Sequence, residues 1–134
     1  MKKLLVLSLF SIAAGLTAQK KEYDPKVMGC YKGSEINQQM EGVSKYWVSC
    51  RLEKGKSILM FVAINADGSV VQETENGSWW TQNGKYYELH KTDNVTDIYN
   101  YEVLANGDVK FQSIEMMGKK DNTYVFTDTK INED

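Results

Sequence analysis

Proline, histidine and arginine are nearly absent from this chain, which has one of each: Pro25, His90 and Arg51. A single histidine excludes metal sites built from several imidazoles. A formal net charge of −2 and a lone arginine argue against a nucleic acid as partner, because proteins that bind nucleic acids carry basic patches. Beyond residue 16 no apolar run is long enough to span a bilayer as a helix, so we expect no membrane span in the mature chain.

The N-terminus has the three parts of a secretory signal. Lys2 and Lys3 precede a short apolar run from residue 4 to residue 16, and small residues around Ala18 form a cleavage site. We therefore assign residues 1–19 to a signal helix that is removed, 20–27 to an N-terminal extension and 28–134 to one domain. The alternative is an anchor helix that is retained. Removal places the mature protein in the periplasm or outside the cell, as in Gram-negative bacteria.

Two cysteines, Cys30 and Cys50, lie on consecutive expected strands. If these strands fold back about Met40, the two cysteines lie opposite each other, close enough for a disulfide. Export favours this bond, because disulfides persist outside the cytoplasm. The alternative is a pair of buried thiols that act as small apolar side chains.

Almost every segment after Val27 has the two-residue alternation or the β-branched composition of a strand. A change in the apolar alternation at Gln112 and Ser113 indicates a β-bulge. The segment 58–64 is apolar on both faces, which predicts a central strand with both sides covered. The expected strands are 28–34, 45–53, 57–65, 69–75, a short piece at 78–82, 85–91, 96–104, 109–117 and 123–129.

The connections between these strands are short and carry turn signals such as Asn83-Gly84. Parallel strands need long crossovers, so the short connections predict an antiparallel meander. Closure of such a meander removes its exposed edges. We therefore predict an all-β fold, an antiparallel up-and-down β-barrel of about eight strands, whose interior holds side chains or one small ligand.

The chain resembles the small exported bacterial proteins of the lipocalin-like (calycin) type. Gly29-Cys30-Tyr31 is similar to the Gly-x-Trp of the first lipocalin strand, with tyrosine in place of tryptophan. The stretch from Gly77 to Tyr87 is similar to the mid-barrel hairpin of these domains. The chain departs from the family in having no arginine near the last strand and no C-terminal helix. The resemblance implies a barrel that binds a small hydrophobic molecule.

Few residues offer catalytic chemistry. Tyr86, Glu88 and His90 share one face of an expected strand, and a Glu–His pair at this spacing meets only through extended side chains. Glutamates such as Glu73 and Glu75 are typical of a solvated strand face. No glycine-rich phosphate loop and no Gly-x-Ser-x-Gly turn is present, so we expect neither a cofactor nor enzymatic activity. A hydrolase built on Glu88, His90 and scattered acids is kept as an alternative to the two binding hypotheses given below.

Aromatic residues are abundant, with three tryptophans and eight tyrosines. Trp79 and Trp80 are adjacent and must face opposite sides of the sheet, so at most one lies in the core. Aromatic side chains give a cavity apolar walls with hydroxyl groups; alternatively they fill the barrel. The expected ligand-binding residues are Tyr46, Tyr87, Tyr99, Tyr101, Tyr124, Phe126 and Trp79.

Two hypotheses follow. The first is an exported, non-enzymatic protein that binds a small, largely apolar ligand inside the barrel. The second is a surface interaction module with a filled barrel that acts through protein or carbohydrate contacts, including a homodimer formed through the strand 58–64. A ligand-sized void would favour the first hypothesis, and a filled barrel would favour the second.

Overall fold

The computed structural model describes residues 20–132, so the expected signal helix at 1–19 lies outside the described residues. The predicted all-β class is confirmed within this range. Two short 3-10 turns, Pro25–Val27 and Glu53–Gly55, accompany nine strands, and no helix among these residues is long and apolar enough to cross a membrane. The strands are β1 Gly29–Ile36, β2 Ser44–Arg51, β3 Lys56–Ile64, β4 Val70–Gln82, β5 Lys85–His90, β6 Val95–Val103, β7 Val109–Met116, β8 Lys119–Lys120 and β9 Val125–Lys130.

The predicted closed barrel is also confirmed. Consecutive strands from β1 to β7 pair as antiparallel neighbours, β7 pairs with β9, and β9 pairs with β1, which closes a ring of eight strands. The two-residue β8 forms a small hairpin with β7 outside this ring. At the seam, Tyr31 and Lys32 of the first strand lie opposite Lys130 and Thr129 of the last.

The break that the sequence suggested between segments 69–75 and 78–82 is wrong, because both belong to the continuous strand β4. At Gly77 this strand passes from its β3 partner Ser57 to its β5 partner His90. A Cβ atom at Gly77 would lie 2.5 Å from the Leu89 carbonyl oxygen. Glycine therefore allows the strand to change partners here without a turn.

The disulfide and the bulge were predicted correctly. Cys30 lies directly opposite Cys50 in the β1–β2 register, their Cα atoms are 4.0 Å apart, and the two sulfurs are bonded. The bulge lies where β7 pairs with β6, since Ser113 faces Tyr99 while Glu115 faces Ile98. This leaves Ile114 as the extra residue, immediately after the pair that marked the change of alternation.

One end of the barrel, which we call the closed end, is sealed by the N-terminal extension. Glu22 pairs with Thr81 through two backbone hydrogen bonds of 2.8 Å. This pair extends the sheet along the part of β4 that β3 does not reach. Asp24 caps the following turn by accepting from the Lys26 amide, and this turn places Val27 in the core with no exposed surface. The buried cluster at the core comprises Val27, Tyr31, Trp79, Tyr86, Tyr99, Val109, Phe111 and Tyr124.

Arg51 completes the closed end from the end of β2. Its guanidinium carbon lies 4.6 Å from the centre of the Tyr31 ring, 4.9 Å from that of Phe111 and 5.1 Å from that of Tyr86. A cation held against aromatic faces is stabilised by the ring quadrupoles. The single arginine thus reaches, from the second strand, the tyrosine of the Gly29-Cys30-Tyr31 stretch on the first.

Candidate functional site

Beyond the aromatic packing, the barrel contains a cavity of about 320 Å³. It extends toward the loops at the other end, which we call the open end, because Gln39, Asp93 and Met117 from three different connections line it. The aromatic residues of its wall are Trp47, Phe61, Tyr86, Tyr99, Tyr124 and Phe126. The ionisable residues of its wall, tyrosines aside, are Lys45, Arg51, Glu73, Glu75, Glu88, His90, Asp93, Asp97 and Asp128.

Three of the expected ligand-binding residues lie in this cavity wall: Tyr99, Tyr124 and Phe126. The Phe126 ring packs against four other rings, whose centres lie 5.0 Å away for Phe111, 5.1 Å for Tyr124, 5.5 Å for Trp47 and 5.6 Å for Tyr99. Trp47 was not expected here. Its ring lies beside Gly33, where a Cβ atom would come within 2.3 Å of it, so glycine on β1 makes room for the indole.

Two further expected residues, Trp79 and Tyr101, belong to the closed end and not to the cavity wall. Trp79 is 1% exposed and donates from Nε1 to the Leu52 carbonyl over 2.9 Å. The Tyr101 hydroxyl donates to Asp24 over 2.7 Å. Burial, followed by this hydrogen bond, raises the pKa of Tyr101 to about 12. Both side chains therefore seal the barrel.

The expectation that Tyr46 and Tyr87 point inward is wrong. Tyr46 is 46% exposed, and its neighbour Trp47 is the one that lines the cavity. Tyr87 lies between two cavity residues, so its own side chain points outward, where it stacks on Trp80 with ring centres 5.3 Å apart. On β2, Trp47, Ser49 and Arg51 face the cavity, while the set that includes Tyr46 and Val48 lies on the outer surface.

Arg51 and Asp128 form a buried ion pair at the cavity floor, with side chains 2% and 1% exposed. Asp128 also accepts from Trp47 Nε1 over 2.8 Å, and Arg51 Nε donates to the Tyr86 hydroxyl over 3.1 Å. Burial alone would lower the pKa of Arg51, but Tyr86 and Asp128 outweigh it and raise this pKa above its ordinary value. The guanidinium is thus a permanent charge, and its buried Nη1 lacks a hydrogen-bond partner among the described residues.

A second charged network lies nearer the open end, around His90. Its Nδ1 lies 3.1 Å from Glu75 and its Nε2 lies 3.1 Å from Asp97. The hydrogen bond to Asp97 raises the pKa of His90 to about 9. Burial opposes this shift, and the charges of Glu88 and Glu75 reinforce it. At neutral pH the ring is therefore an imidazolium that donates from both nitrogens. It has no free nitrogen with which to accept a proton as a general base.

Asp97 ties this network to the rim. Its other oxygen accepts from the Met117 backbone amide over 2.9 Å, which holds the β7–β8 turn against the cavity mouth. The Tyr99 hydroxyl donates to the same carboxylate over 3.3 Å. Glu88 and His90 were expected on one strand face, but the partners of His90 on β4 and β6 were not foreseen.

Glu88 differs from the other inner carboxylates. It lies on β5 between the cavity residues Tyr86 and His90, and it makes no hydrogen bond or ion pair with any residue in the range 20–132. Its side chain is partly buried, and it lines the cavity. Burial raises the pKa of Glu88, although the charges of His90 and Arg51 oppose this shift.

The described residues include no group of three or more histidine, cysteine or acidic side chains that could hold a metal ion. In the Glu75–His90–Asp97 group the imidazole separates the two carboxylates, so their oxygens do not converge on one point. No protein-family model, no curated protein and no solved structure gives a significant match to this chain.

Proposed function

We propose that this protein binds a small organic molecule inside its barrel and has no catalytic activity. The observation that carries the proposal is the cavity of about 320 Å³ with aromatic walls. Sites for small molecules are concave, largely apolar and about 300–1,000 Å³ in volume, with a few polar groups that fix orientation. This cavity is at the small end of that range, which favours a compact ligand over a long acyl chain.

The polar groups of the cavity support a ligand that is apolar over most of its surface and polar at one point. Six aromatic side chains line the wall, while Arg51 forms an ion pair with Asp128 and His90 forms one with Asp97. The resemblance of Gly29-Cys30-Tyr31 to the opening of lipocalins supports the same function. The lipocalin assignment itself stays a prediction.

We further propose that the mature protein is exported. The bond between Cys30 and Cys50 supports this, because structural disulfides are typical of oxidising compartments. Mass spectrometry of the protein purified from its own cell envelope or medium tests the proposal, since cleavage after residue 19 would leave a chain that starts at Lys20. A full-length chain recovered with reduced cysteines from the cytoplasm would contradict it.

The binding proposal is tested by filling the cavity. Leu59 lines it, and the next residue along β3, Met60, is 47% exposed on the outer surface. We expect Leu59→Trp to abolish binding of the neutral dye N-phenyl-1-naphthylamine, measured by its fluorescence. Met60→Trp adds the same side chain outside the barrel and should leave binding unchanged.

The proposal fails if the wild-type protein binds neither this dye nor fatty acids and native mass spectrometry of material from its own source shows only the bare chain. It also fails if both tryptophan variants bind the dye as the wild type does. Circular dichroism in the near ultraviolet verifies that each variant keeps the folded barrel.

The outer surface of β3 favours a second candidate function, association with another copy of the chain. Met60 is 47% exposed, Ile64 39% and the neighbouring Val70 of β4 61%. Exposed apolar patches of this kind mark interaction surfaces in soluble proteins. Sedimentation velocity should show a dimer that Met60→Lys dissociates. A wild-type monomer at all accessible concentrations would contradict this candidate and leave the cavity proposal unaffected.

A further inference from the structure

Within the proposed binding function, on which this inference rests, we infer the class of ligand. We propose that the ligand is a small organic cation, an amine on a compact apolar body, whose ammonium group binds the Glu88 carboxylate inside the barrel.

The cavity wall carries more acidic than basic side chains. Six carboxyl groups line it, but only three basic side chains do. Each basic side chain already has an acidic partner. Arg51 pairs with Asp128, His90 with Glu75 and Asp97, and Lys45 with Glu35. Among the described residues, Glu73, Asp93 and Glu88 of the cavity wall have no ion-pair partner, and of these three only Glu88 is partly buried.

The position of Glu88 in the sheet also favours a cationic ligand. Its neighbours across the strands are the core residue Trp79 on β4 and the buried Asp97 on β6, so the Glu88 side chain lies on the inner face of the barrel. A carboxylate removed from water without a partner is costly, and a cation that reaches it compensates for that cost. A cationic group on a ligand would therefore offset the cost of burying this carboxylate.

The cavity wall around Glu88 includes aromatic rings. The charge of Glu88 contributes to the raised pKa of both Tyr86 and Tyr99, whose phenol groups lie near it. Aromatic faces attract an ammonium group, and they also pack against an apolar body. One carboxylate beside aromatic rings is thus suited to an amine with an attached hydrocarbon or ring.

The competing ligand is a carboxylate bound by Arg51, whose buried Nη1 lacks a hydrogen-bond partner. Two features oppose it. The charge of Arg51 is already balanced by Asp128, with which it forms an ion pair. The guanidinium also feels the charge of Glu88, so an anion placed there would be repelled by a second carboxylate.

The experiment uses three probes with the same phenyl body: 2-phenylethylamine, 2-phenylethanol and 3-phenylpropanoate. Isothermal titration calorimetry at pH 7 measures their affinity for the mature protein, Glu88→Gln and Glu73→Gln. Glu73 is a matched control, because it lines the same cavity at an exposed position on β4. A charge-assisted hydrogen bond deep in a protein corresponds to a ratio of about 10–100 in affinity.

We expect the wild type to prefer the amine over the alcohol by about 10–100-fold. Glu88→Gln should remove this preference and leave the affinity for the alcohol unchanged, whereas Glu73→Gln should retain it. The comparison of amine with alcohol in the wild type needs no variant, so it stands even if Glu88→Gln fails to fold.

Several outcomes overturn the inference. Preferential binding of the propanoate would assign the site to an anion at Arg51. Equal affinity for the amine and the alcohol, or an amine preference that survives Glu88→Gln in a folded variant, would remove Glu88 from recognition. If the neutral dye binds and none of the three probes does, this inference alone fails; if nothing binds, the proposed function fails as well.

Discussion

The two ends of this barrel are built on different principles. At the closed end, aromatic and aliphatic side chains pack without exposure, and the polar atoms of Trp79, Tyr101 and Arg51 bond to fixed partners. At the open end, charged side chains around His90 surround a cavity. One regular strand pattern therefore produces a closely packed end and a polar cavity within the same ring of strands.

Stability and proposed function are thus separated along the barrel axis. Dispersion and burial depend on close packing, which the closed end has and the cavity lacks. A pocket needs empty volume and unpaired groups, and both reduce stability locally. Substitutions at the two ends should therefore have different consequences.

The largest expected effect comes from the same truncation made at both ends. Phe111→Ala removes a fully buried ring at the closed end and should lower the free energy of unfolding by about 3–5 kcal/mol. Phe61→Ala removes a ring that already borders the cavity, and its cost should stay below about 2 kcal/mol. Urea unfolding measures both values. Equal losses would mean that the cavity wall is packed as tightly as the plug.

The disulfide should contribute about 3 kcal/mol, since its loop of 20 residues restricts the unfolded chain. Cys30 and Cys50 adjoin Tyr31 and Arg51, so the bond braces the closed end. We expect the double variant Cys30→Ala/Cys50→Ala to unfold at lower urea concentration while it binds the cavity dye as before. Loss of dye binding in a folded double variant would show that the two ends are not independent.

The smallest expected effect is a pH dependence located at the open end. Because the pKa of His90 is raised from 6.5 to about 9, its ion pairs stabilise the fold fully below pH 6.5 and are lost as the pH rises to 9. Solvent screening at this partly exposed site limits the change to about 1–2 kcal/mol. Urea midpoints measured from pH 6 to pH 10 should decline for the wild type and stay flat for His90→Gln. A variant that keeps the decline would assign it to another group.

The sequence was a good guide to the fold because turns and alternation are local signals. Asn83-Gly84 and its counterparts marked the hairpins, and the symmetry of a hairpin about Met40 placed Cys30 opposite Cys50. The break at Gly77 was misjudged, because glycine there serves a change of strand partner that only the assembled sheet reveals.

The site was harder to predict because hydrophobicity does not mark the inside of a barrel that contains a polar cavity. On β2 the inward residues are Trp47, Ser49 and Arg51, while the more apolar set that includes Tyr46 and Val48 lies outside. The alternation was visible, but nothing local showed which set faced inward.

The partners of His90 could not be foreseen for a related reason. Glu75 lies on β4 and Asp97 on β6, and their convergence depends on the registers of two hairpins. A one-residue slip in either hairpin would turn one of these carboxylates to the outer surface. Register, which local patterns specify weakly, thus decides which charges meet.

The seam between β1 and β9 has a consequence for how the chain reaches its final form. Tyr31 and Lys130 come from the two ends of the domain, so the ring of strands closes only when the last strand is available. Contacts between such distant segments must overcome the entropy of a long loop, and folds rich in them form slowly. The pocket is therefore complete only after β9 has paired with β1, at the end of synthesis of the domain.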